Sequence, residues 1–416
     1  YKTVNGTPVV PYFGGVYTRL DLTLMRNWDF SLQANNDSFF DWTGFARLTY
    51  RMGGSRRRNV PDQMEQPMMR NEHIVRAHQA PEQAINPFTS APWRVIHVDN
   101  SYTPSTTTGT GTVENPVISL AEAQTLANAP YDIVFVHVGN SANTPYVGGF
   151  AFPQNNQFLV GEGSSLRIPT VECGLTSLWS KTAASYYPII TGVPGSPDVP
   201  AVLLTNGSST GSRVDHVQIV GAPIGISDGE GMGSPGAAFV NDVRIIGNGP
   251  LQTGVVIQDL KGQGGTFNFT NVYMKGMTAD GFVIDGQGAV ATTGTFGSPV
   301  VNITNSTIKN TSGSAVVVNA LAPDTDSRVR LAGSTIDGAT GAGVSVAGAA
   351  AIVEGTTIRN VANYGVSVVG GPIIAGVAST GTSTVQVANS NITSTVAVQA
   401  SAPAAGDAVN ITINGN

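Results

Sequence analysis

Three aspartates follow apolar runs in the middle of the chain, and they are the residues best placed to do chemistry. Asp228, Asp259 and Asp285 each come one or two positions after an isoleucine. If these runs are strands of successive stacked coils, the carboxylates lie about 5 Å apart, which suits a retaining glycosidase pair or a Ca²⁺ site. Lys261 and Glu230 lie nearby in sequence and could act as acid or base. Aspartate also favours the turn that ends a strand, so the simpler interpretation is three turn residues.

We therefore take Asp228, Asp259, Asp285 and Lys261 as candidate catalytic residues and the three aspartates as candidate Ca²⁺ ligands, and we expect no other cofactor. His216 forms a pair with Asp215, but other coils carry Asn, Asp or Gly at its position, so we expect a turn residue rather than a catalytic base. No metal-ligand spacing relates the other histidines to one another or to the single cysteine: His73, His78, His97, His137 and Cys173.

Two consecutive segments reveal the elements that must position such residues. Ala332–Gly348 reads AGSTIDGATGAGVSVAG and Glu354–Gly370 reads EGTTIRNVANYGVSVVG, with an offset of 22 residues from Gly333 to Gly355. Self-similarity at a fixed period of this size indicates a repeat architecture. Each unit has two short β-branched runs separated by Gly-, Asn- and Ser-rich turns too short for helices. The sequence predicts a right-handed parallel β-helix, in which a coil buries its apolar side only by stacking on the next.

One apolar residue of each coil aligns into a column, which we name the anchor column: Ile219, Ile245, Met274, Ile308, Ile336, Ile358 and Ile392. Three positions earlier stand His216, Asp242, Asn271, Asn305, Gly333, Gly355 and Asn389. Two positions later stand Gly221, Gly247, Gly276, Asn310, Gly338, Asn360 and Ser394. Gly, Asn and Asp accept positive φ at low cost, so both flanking columns are predicted to be turns.

The first 52 residues follow a different pattern, in which apolar and polar residues alternate. Val16–Met25, Asp29–Ala34 and Trp42–Met52 each place apolar side chains on one face and polar ones on the other. This is typical of an antiparallel sheet, either in a soluble meander or in the wall of an outer-membrane barrel. So few strands cannot close a barrel. The missing strands would lie upstream of Tyr1 or on other chains, and the start at Tyr1 rather than Met favours a processed or truncated product.

The segment that follows carries a family resemblance. The strand WTGFARLTYRMGG, then SRRR, then PMMRNEHIV resembles the closing strand and exit segment of inverse-autotransporter β-domains, the intimin and invasin type. The resemblance covers roughly residues 1–75 and implies an N-terminal domain in the outer membrane with an extracellular C-terminal passenger. We assign residues 1–52 to this partial barrel-like segment and residues 53–93 to a polar linker, in which we expect Arg56–Arg58 to be a solvated turn flank.

Residues 94–164 are predicted to form the N-terminal cap and first coils of the β-helix, and residues 165–416 the remaining coils. Arg94–Asn100, a helix at Leu120–Ala127 and strands at Ile133–Val138 and Gln157–Val160 resemble the cap of pectate-lyase-like β-helices. A short amphipathic helix there would cover the open apolar end of the first coil. The Asp-pair and Gly-His-Gly motifs of polygalacturonases and the arginine signature of pectate lyases are absent.

The composition and net charge of the chain limit the classes of partner that it could bind. Only 12% of the residues are charged, Gly numbers 50, and the net charge is −6, which argues against nucleic acid as a partner. No apolar run reaches the roughly 18 residues of a membrane helix. The last run, Val409–Ile413, has no polar capping helix, so we expect homo-oligomers through sheet edges or this uncapped coil.

Two classes of function remain open from the sequence, because this fold serves both enzymes and adhesins. We favour a structural or adhesive protein of the outer membrane and cell surface, with glycans or other surface proteins as partners. The first alternative is a secreted or surface polysaccharide lyase or hydrolase that uses the three aspartates. The second is a structural subunit of a surface assembly.

Overall fold

The computed structural model describes a nearly all-β chain in two compact units, residues 1–83 and residues 84–416. It describes residues 2–4, 7–9, 15–25, 28–37, 41–50, 83–103, 109–177, 186–196, 198–204, 210–229, 236–249, 252–258, 264–286, 299–320, 327–371, 373–374, 377–378, 382–402 and 407–415. The Arg56–Arg58 run and the PMMRNEHIV segment lie outside these ranges.

The N-terminal unit is antiparallel. A hairpin pairs Lys2–Val4 with Thr7–Val9, and a three-stranded sheet joins Gly15–Met25, Trp28–Asp37 and Asp41–Tyr50. The predicted antiparallel strands are therefore confirmed. Because side chains alternate between the two faces of a strand, the register places one apolar set on a common face: Leu20, Leu22, Trp28, Phe30, Leu32, Ala34, Ala46, Leu48 and Tyr50.

The second unit is a parallel β-helix, which confirms the predicted solenoid. In the described ranges, its first ladder, face A, contains eleven parallel strands: Val95–Val98, Ile133–Val136, Phe158–Gly161, Arg213–Asp215, Ala237–Asn241, Thr266–Thr270, Val300–Thr304, Arg328–Ala332, Ala350–Glu354, Thr382–Ala388 and Ala408–Asn414.

Faces B and C are two further ladders, joined because the last two coils run through both in single strands, Thr357–Val369 and Asn391–Ser401. Face B begins with Tyr146–Val147, Ile189–Thr191, Gln218–Val220, Arg244–Ile246, Tyr273–Lys275, Thr307–Thr311 and Thr335–Ala339. Face C begins with Phe150–Ala151, Val202–Leu203, Ile224–Ser227, Thr253–Ile257, Phe282–Gly286, Val316–Ala320 and Val344–Ala347. Two small hairpins pair Ile168–Thr170 with Gly174–Thr176 and Ile373–Ile374 with Val377–Ala378.

The anchor column is confirmed residue by residue. Each of its seven members pairs directly with the next across face B, and Ile190 and Tyr146 extend the column into earlier coils. These side chains belong to one continuous apolar core that runs from Ile96 to Val387. The core is therefore built by stacking, since no single coil could bury its own apolar side.

The turn column that precedes the anchors is also confirmed. All seven of its residues have positive φ, between 49° and 58°. In the column that follows the anchors, five residues have the predicted positive φ, while Gly247 and Ser394 do not. Asn and Gly recur at these corners because the left-handed conformation costs other residues roughly 1–2 kcal/mol.

Buried hydroxyl groups occupy the next position in the later coils: Ser306, Ser334, Thr356 and Ser390. The Oγ atom of Ser306 accepts a hydrogen bond from the backbone N–H of Val272 at 3.1 Å, and Ser334 accepts from the N–H of Ser306 at 3.1 Å. Each hydroxyl also donates to a carbonyl two residues before it. These side chains satisfy backbone groups at a corner where the strand ladder is interrupted.

A column of small residues lies where face C begins: Gly225, Gly254, Gly281, Ala315, Gly343, Gly365 and Ala397. The anchor side chains fill the space beside it. A Cβ atom on Gly225 would lie 3.0 Å from Cγ2 of Ile245, and one on Gly343 would lie 2.6 Å from Cγ2 of Ile358. The Gly343 and Gly365 shared by the two repeats thus make room for the anchors.

The first coil carries the predicted short helix, at Leu120–Leu126. Ser119 caps it, accepting from the N–H of Glu122 at 3.3 Å, and Leu120 and Ala123 are buried in the main core. The second unit starts at Ala84, inside the segment assigned to the linker. Trp93 there belongs to a separate apolar cluster with Ile133, Phe135, Val160, Leu166 and Ile168, and its indole N–H donates to the carbonyl of Pro169 at 2.9 Å.

Candidate functional site

Asp228 lies inside the stack of coils rather than on its surface. Its side chain is fully buried, and its Oδ1 atom accepts a hydrogen bond from the backbone N–H of Gln258 at 2.9 Å. Ser227 pairs with Val256 and Val256 with Val283, so Asp228 takes the inward position that Ile257 and Ile284 occupy in the next two coils. Its carboxylate therefore serves the backbone of the following coil.

Asp228 and Asp285 do not share the single column that the sequence predicted. Asp285 pairs with Asn319 and is aligned one position beyond Asp228, two coils away. Asp259, Lys261 and Glu230 lie outside the residues that the structure describes. The proposed catalytic and Ca²⁺-binding roles of Asp228, Asp259, Asp285 and Lys261 stay predictions. Within the described ranges, no three His, Cys, Asp or Glu side chains are grouped as metal ligands.

The best-formed polar cluster surrounds His216, which is confirmed as a turn residue. Its Nδ1 atom lies 2.6 Å from Oδ2 of Asp242, and its Nε2 atom lies 3.2 Å from the carbonyl oxygen of Tyr186. The Tyr187 ring stacks on the imidazole with centroids 3.9 Å apart, and its hydroxyl donates to Oδ1 of Asp242 at 2.8 Å. The Arg244 guanidinium covers the Tyr187 ring at 4.0 Å. The cluster fastens residues 186–187 to the corner between faces A and B.

The electrostatics of this cluster follow from its contacts. Burial alone would raise the pKa of Asp242, but hydrogen bonds from His216 and Tyr187, and the charges of His216 and Arg244, hold it below its ordinary value. Burial and the bond to Asp242 raise the pKa of Tyr187 to about 12. The side chain of His216 is only 1% exposed, and both ring nitrogens face acceptors. Such a histidine is fixed in place and has no face left for a substrate.

Asp215 extends this network on the outer side of face A. Its carboxylate accepts hydrogen bonds from the Ser164 hydroxyl and the Asn241 amide, and burial raises its pKa. Burial lowers the pKa of neighbouring Arg213, whose Nε atom is buried without a hydrogen-bond partner among the described residues. Their adjacent positions made Asp215 and His216 identifiable as a pair from the sequence. Tyr187 and Arg244 could not be identified as members of this cluster, because they belong to other coils.

A second histidine pair lies on the first coils. The Nδ1 atom of His97 and the Nε2 atom of His137 are 3.0 Å apart, while the ring centroids are 5.2 Å apart. Both nitrogens therefore lie nearly on the line between the ring centres. This is the geometry of an N–H···N hydrogen bond, whereas two metal ligands would direct their lone pairs at a third point. Glu162 Oε2 lies 3.7 Å from Nδ1 of His137. Burial, and secondarily the charge of His137, lower the pKa of His97 to about 4.

Charged side chains line one outward column of face B. Lys275 pairs with Lys309, Lys309 with Asp337, and Asp337 with Arg359. The Asp337 carboxylate accepts from Asn360 at 2.6 Å and from Arg359 at 2.9 Å, and these two bonds hold its pKa below its ordinary value. The adjacent outward column holds Arg244, Tyr273, Thr307, Thr335 and Thr357. Together, Arg244, Lys275, Lys309 and Arg359 form what we name the face B cationic strip.

Among the described residues, none of the helices is long and apolar enough to cross a membrane. No protein-family model, no curated protein and no solved structure matches this chain at a significant level. Function must therefore be inferred from the geometry of the chain itself.

Proposed function

We propose that the protein is a structural or adhesive protein of the cell surface, held in the outer membrane by its N-terminal sheet and displaying its β-helix outside the cell. The observation that carries this proposal is the apolar face of the antiparallel sheet. Leu20, Leu22, Leu32, Leu48 and Tyr50 all lie on that face and are all exposed. A contiguous exposed apolar face marks a contact with a partner or a lipid phase.

The opposite face of the same sheet supports a lipid-facing role for the apolar one. The register places Arg19, Ser31, Gln33 and Arg47 on that second face, together with Phe45. Membrane strands alternate in this way, with apolar side chains towards lipid and polar ones towards the interior. The β-helix supports a role in display because its ladders continue from coil to coil.

Two neighbouring residues of one strand provide a matched test. We expect Leu32→Arg to lower the fraction of protein recovered in the outer membrane, because a charge on a lipid-facing position costs about 2–4 kcal/mol near mid-membrane. Ser31→Arg adds the same charge on the opposite face and is expected to leave that fraction unchanged. The measurement is membrane fractionation with quantitative immunoblotting.

Display outside the cell needs a separate measurement. Antibodies raised against the β-helix unit, residues 84–416, are expected to label intact cells that carry the protein as strongly as permeabilised ones. Labelling that requires permeabilisation would overturn the proposed location. Equal membrane recovery of the Leu32→Arg and Ser31→Arg variants would overturn the role of the sheet.

A further inference from the structure

The face B cationic strip contains two stacked lysines, and neither of them forms an ion pair with a described carboxylate. Lys275 and Lys309 are direct partners in neighbouring coils, so their backbones are about 4.8 Å apart. Like charges directly opposite each other destabilise a sheet. Both flank the anchor column on the outward side, and no described carboxylate lies within ion-pair distance of either ammonium group.

The carboxylate in this column forms its hydrogen bonds with the next coil. The charge of Lys309 contributes to the lowered pKa of Asp337, but the two oxygens of Asp337 accept from Asn360 and Arg359, on the far side from Lys275. On the other side Lys275 pairs with Ile246. In a chain of net charge −6, two stacked lysines that form no ion pair with a described carboxylate mark a place where external negative charge would relieve their repulsion.

The neighbouring column offers hydroxyl groups beside these charges. Tyr273 and Thr307 lie two residues before Lys275 and Lys309 on the same strands, and both residues are partly exposed. Arg244 adds a third positive charge one coil earlier, with its guanidinium placed over Tyr187. Cations and hydroxyls therefore repeat at the strand spacing along the axis of the coils, which suits a linear ligand with repeated anionic and hydroxyl groups.

We propose that the face B cationic strip binds a linear anionic polysaccharide, whose carboxylate or sulfate groups lie against Lys275 and Lys309 and whose hydroxyls meet Tyr273 and Thr307. This assignment depends on the proposed surface location for its biological setting, and it names the partner class of that adhesive role. Electrostatic complementarity of this kind gives binding that weakens as salt rises.

The test uses the purified full chain and four probes: alginate for carboxylates, dextran sulfate for sulfates, neutral dextran, and anionic phosphatidylglycerol vesicles. We expect binding to alginate or dextran sulfate at low salt and none to neutral dextran. Lys275→Glu is expected to weaken that binding by at least about tenfold. The substitution gives alternating charges along the column with Lys309, Asp337 and Arg359, so thermal stability should be kept or raised and misfolding would not explain the loss.

A control with the same change in net charge is available on face A. Arg328 and Arg330 lie there, and the double variant Arg328→Gln, Arg330→Gln also lowers the net charge by two. We expect it to bind within about twofold of the parent, since it leaves face B intact. Equal losses in both variants, no effect of Lys275→Glu, equal binding to neutral dextran, or binding to the vesicles alone would each overturn the assignment. This assay does not use cell labelling. It can therefore refute polysaccharide binding by the strip without refuting the proposed surface location, and the reverse also holds.

Discussion

The Cγ2 atom of Ile358 occupies the space into which a side chain on Gly343 would extend. A Cβ atom at position 343 would lie 2.6 Å from that methyl group and 2.6 Å from the carbonyl oxygen of Gly365. We expect Gly343→Ala to lower the free energy of unfolding by about 1–3 kcal/mol, because the packed core must shift to admit the methyl group. The thermal unfolding midpoint, followed by circular dichroism, measures the effect.

Gly355 provides the control for that substitution. It lies in the turn column with φ of 55°, and the atom nearest to a Cβ built on it is 3.9 Å away. Because asparagine occupies this column in other coils, Gly355→Asn is expected to change stability by less than about 0.5 kcal/mol. A Gly343→Ala protein as stable as Gly355→Asn would show that the anchors do not require the glycine.

Removal of the Ser306 hydroxyl should lower the stability of the corner between faces A and B. The backbone N–H of Val272 donates to Oγ of Ser306, in a buried place where water cannot replace it. We expect Ser306→Ala to cost about 1–3 kcal/mol and to speed hydrogen exchange at the Val272 amide. Ser345→Ala, on the outward side of face C, is the matched substitution and should leave that amide protected.

The hydroxyl of Tyr187 is expected to stabilise residues 186–191. Tyr187→Phe removes its hydrogen bond to Asp242 but keeps the ring between His216 and Arg244, so we expect a loss of about 1 kcal/mol. Faster hydrogen exchange at the Ile189 and Ile190 amides would show this loss of stability. Tyr186→Phe alters an exposed neighbour and should have no such effect; identical exchange in both variants would contradict the assigned role.

Acid should weaken the first coils through His97. Its pKa is about 4 in the folded chain and about 6.5 in an unfolded one, so between these values the unfolded state holds more protons. Stability therefore falls as pH falls from about 6.5 to about 4, by an amount on the order of 1–3 kcal/mol. His97→Gln should flatten this dependence in thermal unfolding measured across that range. An unchanged slope in the variant would assign the dependence to other groups.

The anchor and turn columns could be predicted from the sequence because both rest on local chemistry. An inward apolar residue and a residue that tolerates positive φ recur at a fixed separation in the seven coils from Ile219 to Ile392, whatever the lengths of the intervening loops. Ile336 and Ile358 were identifiable for this reason, and so was the turn position of His216. The antiparallel N-terminal strands were predictable from their alternation.

The positions of Asp228 and Asp285 could not be predicted from the sequence because isoleucine is not a unique marker on face C. Two inward positions there carry apolar residues, and Ile226 pairs with Val255 rather than with Ile257. Aligning Ile226 with Ile257 and Ile284 shifts the register by two, whereas Asp228 itself takes the position of Ile257 and Ile284. The contacts of Tyr187 with His216 and Arg244 could not be predicted from the sequence for another reason. They join residues from different coils, and no local sequence pattern relates such residues.

The in-register offset between Thr335 and Thr357 has a consequence for how such a gene can change. Removing codons 335–356 would join Ser334 to Thr357, which already holds the equivalent place one coil later. Every inward residue beyond the junction would keep its orientation, and Ile358 would stack on Ile308 in place of Ile336. The number of coils can therefore change by unequal recombination, without a new turn having to evolve.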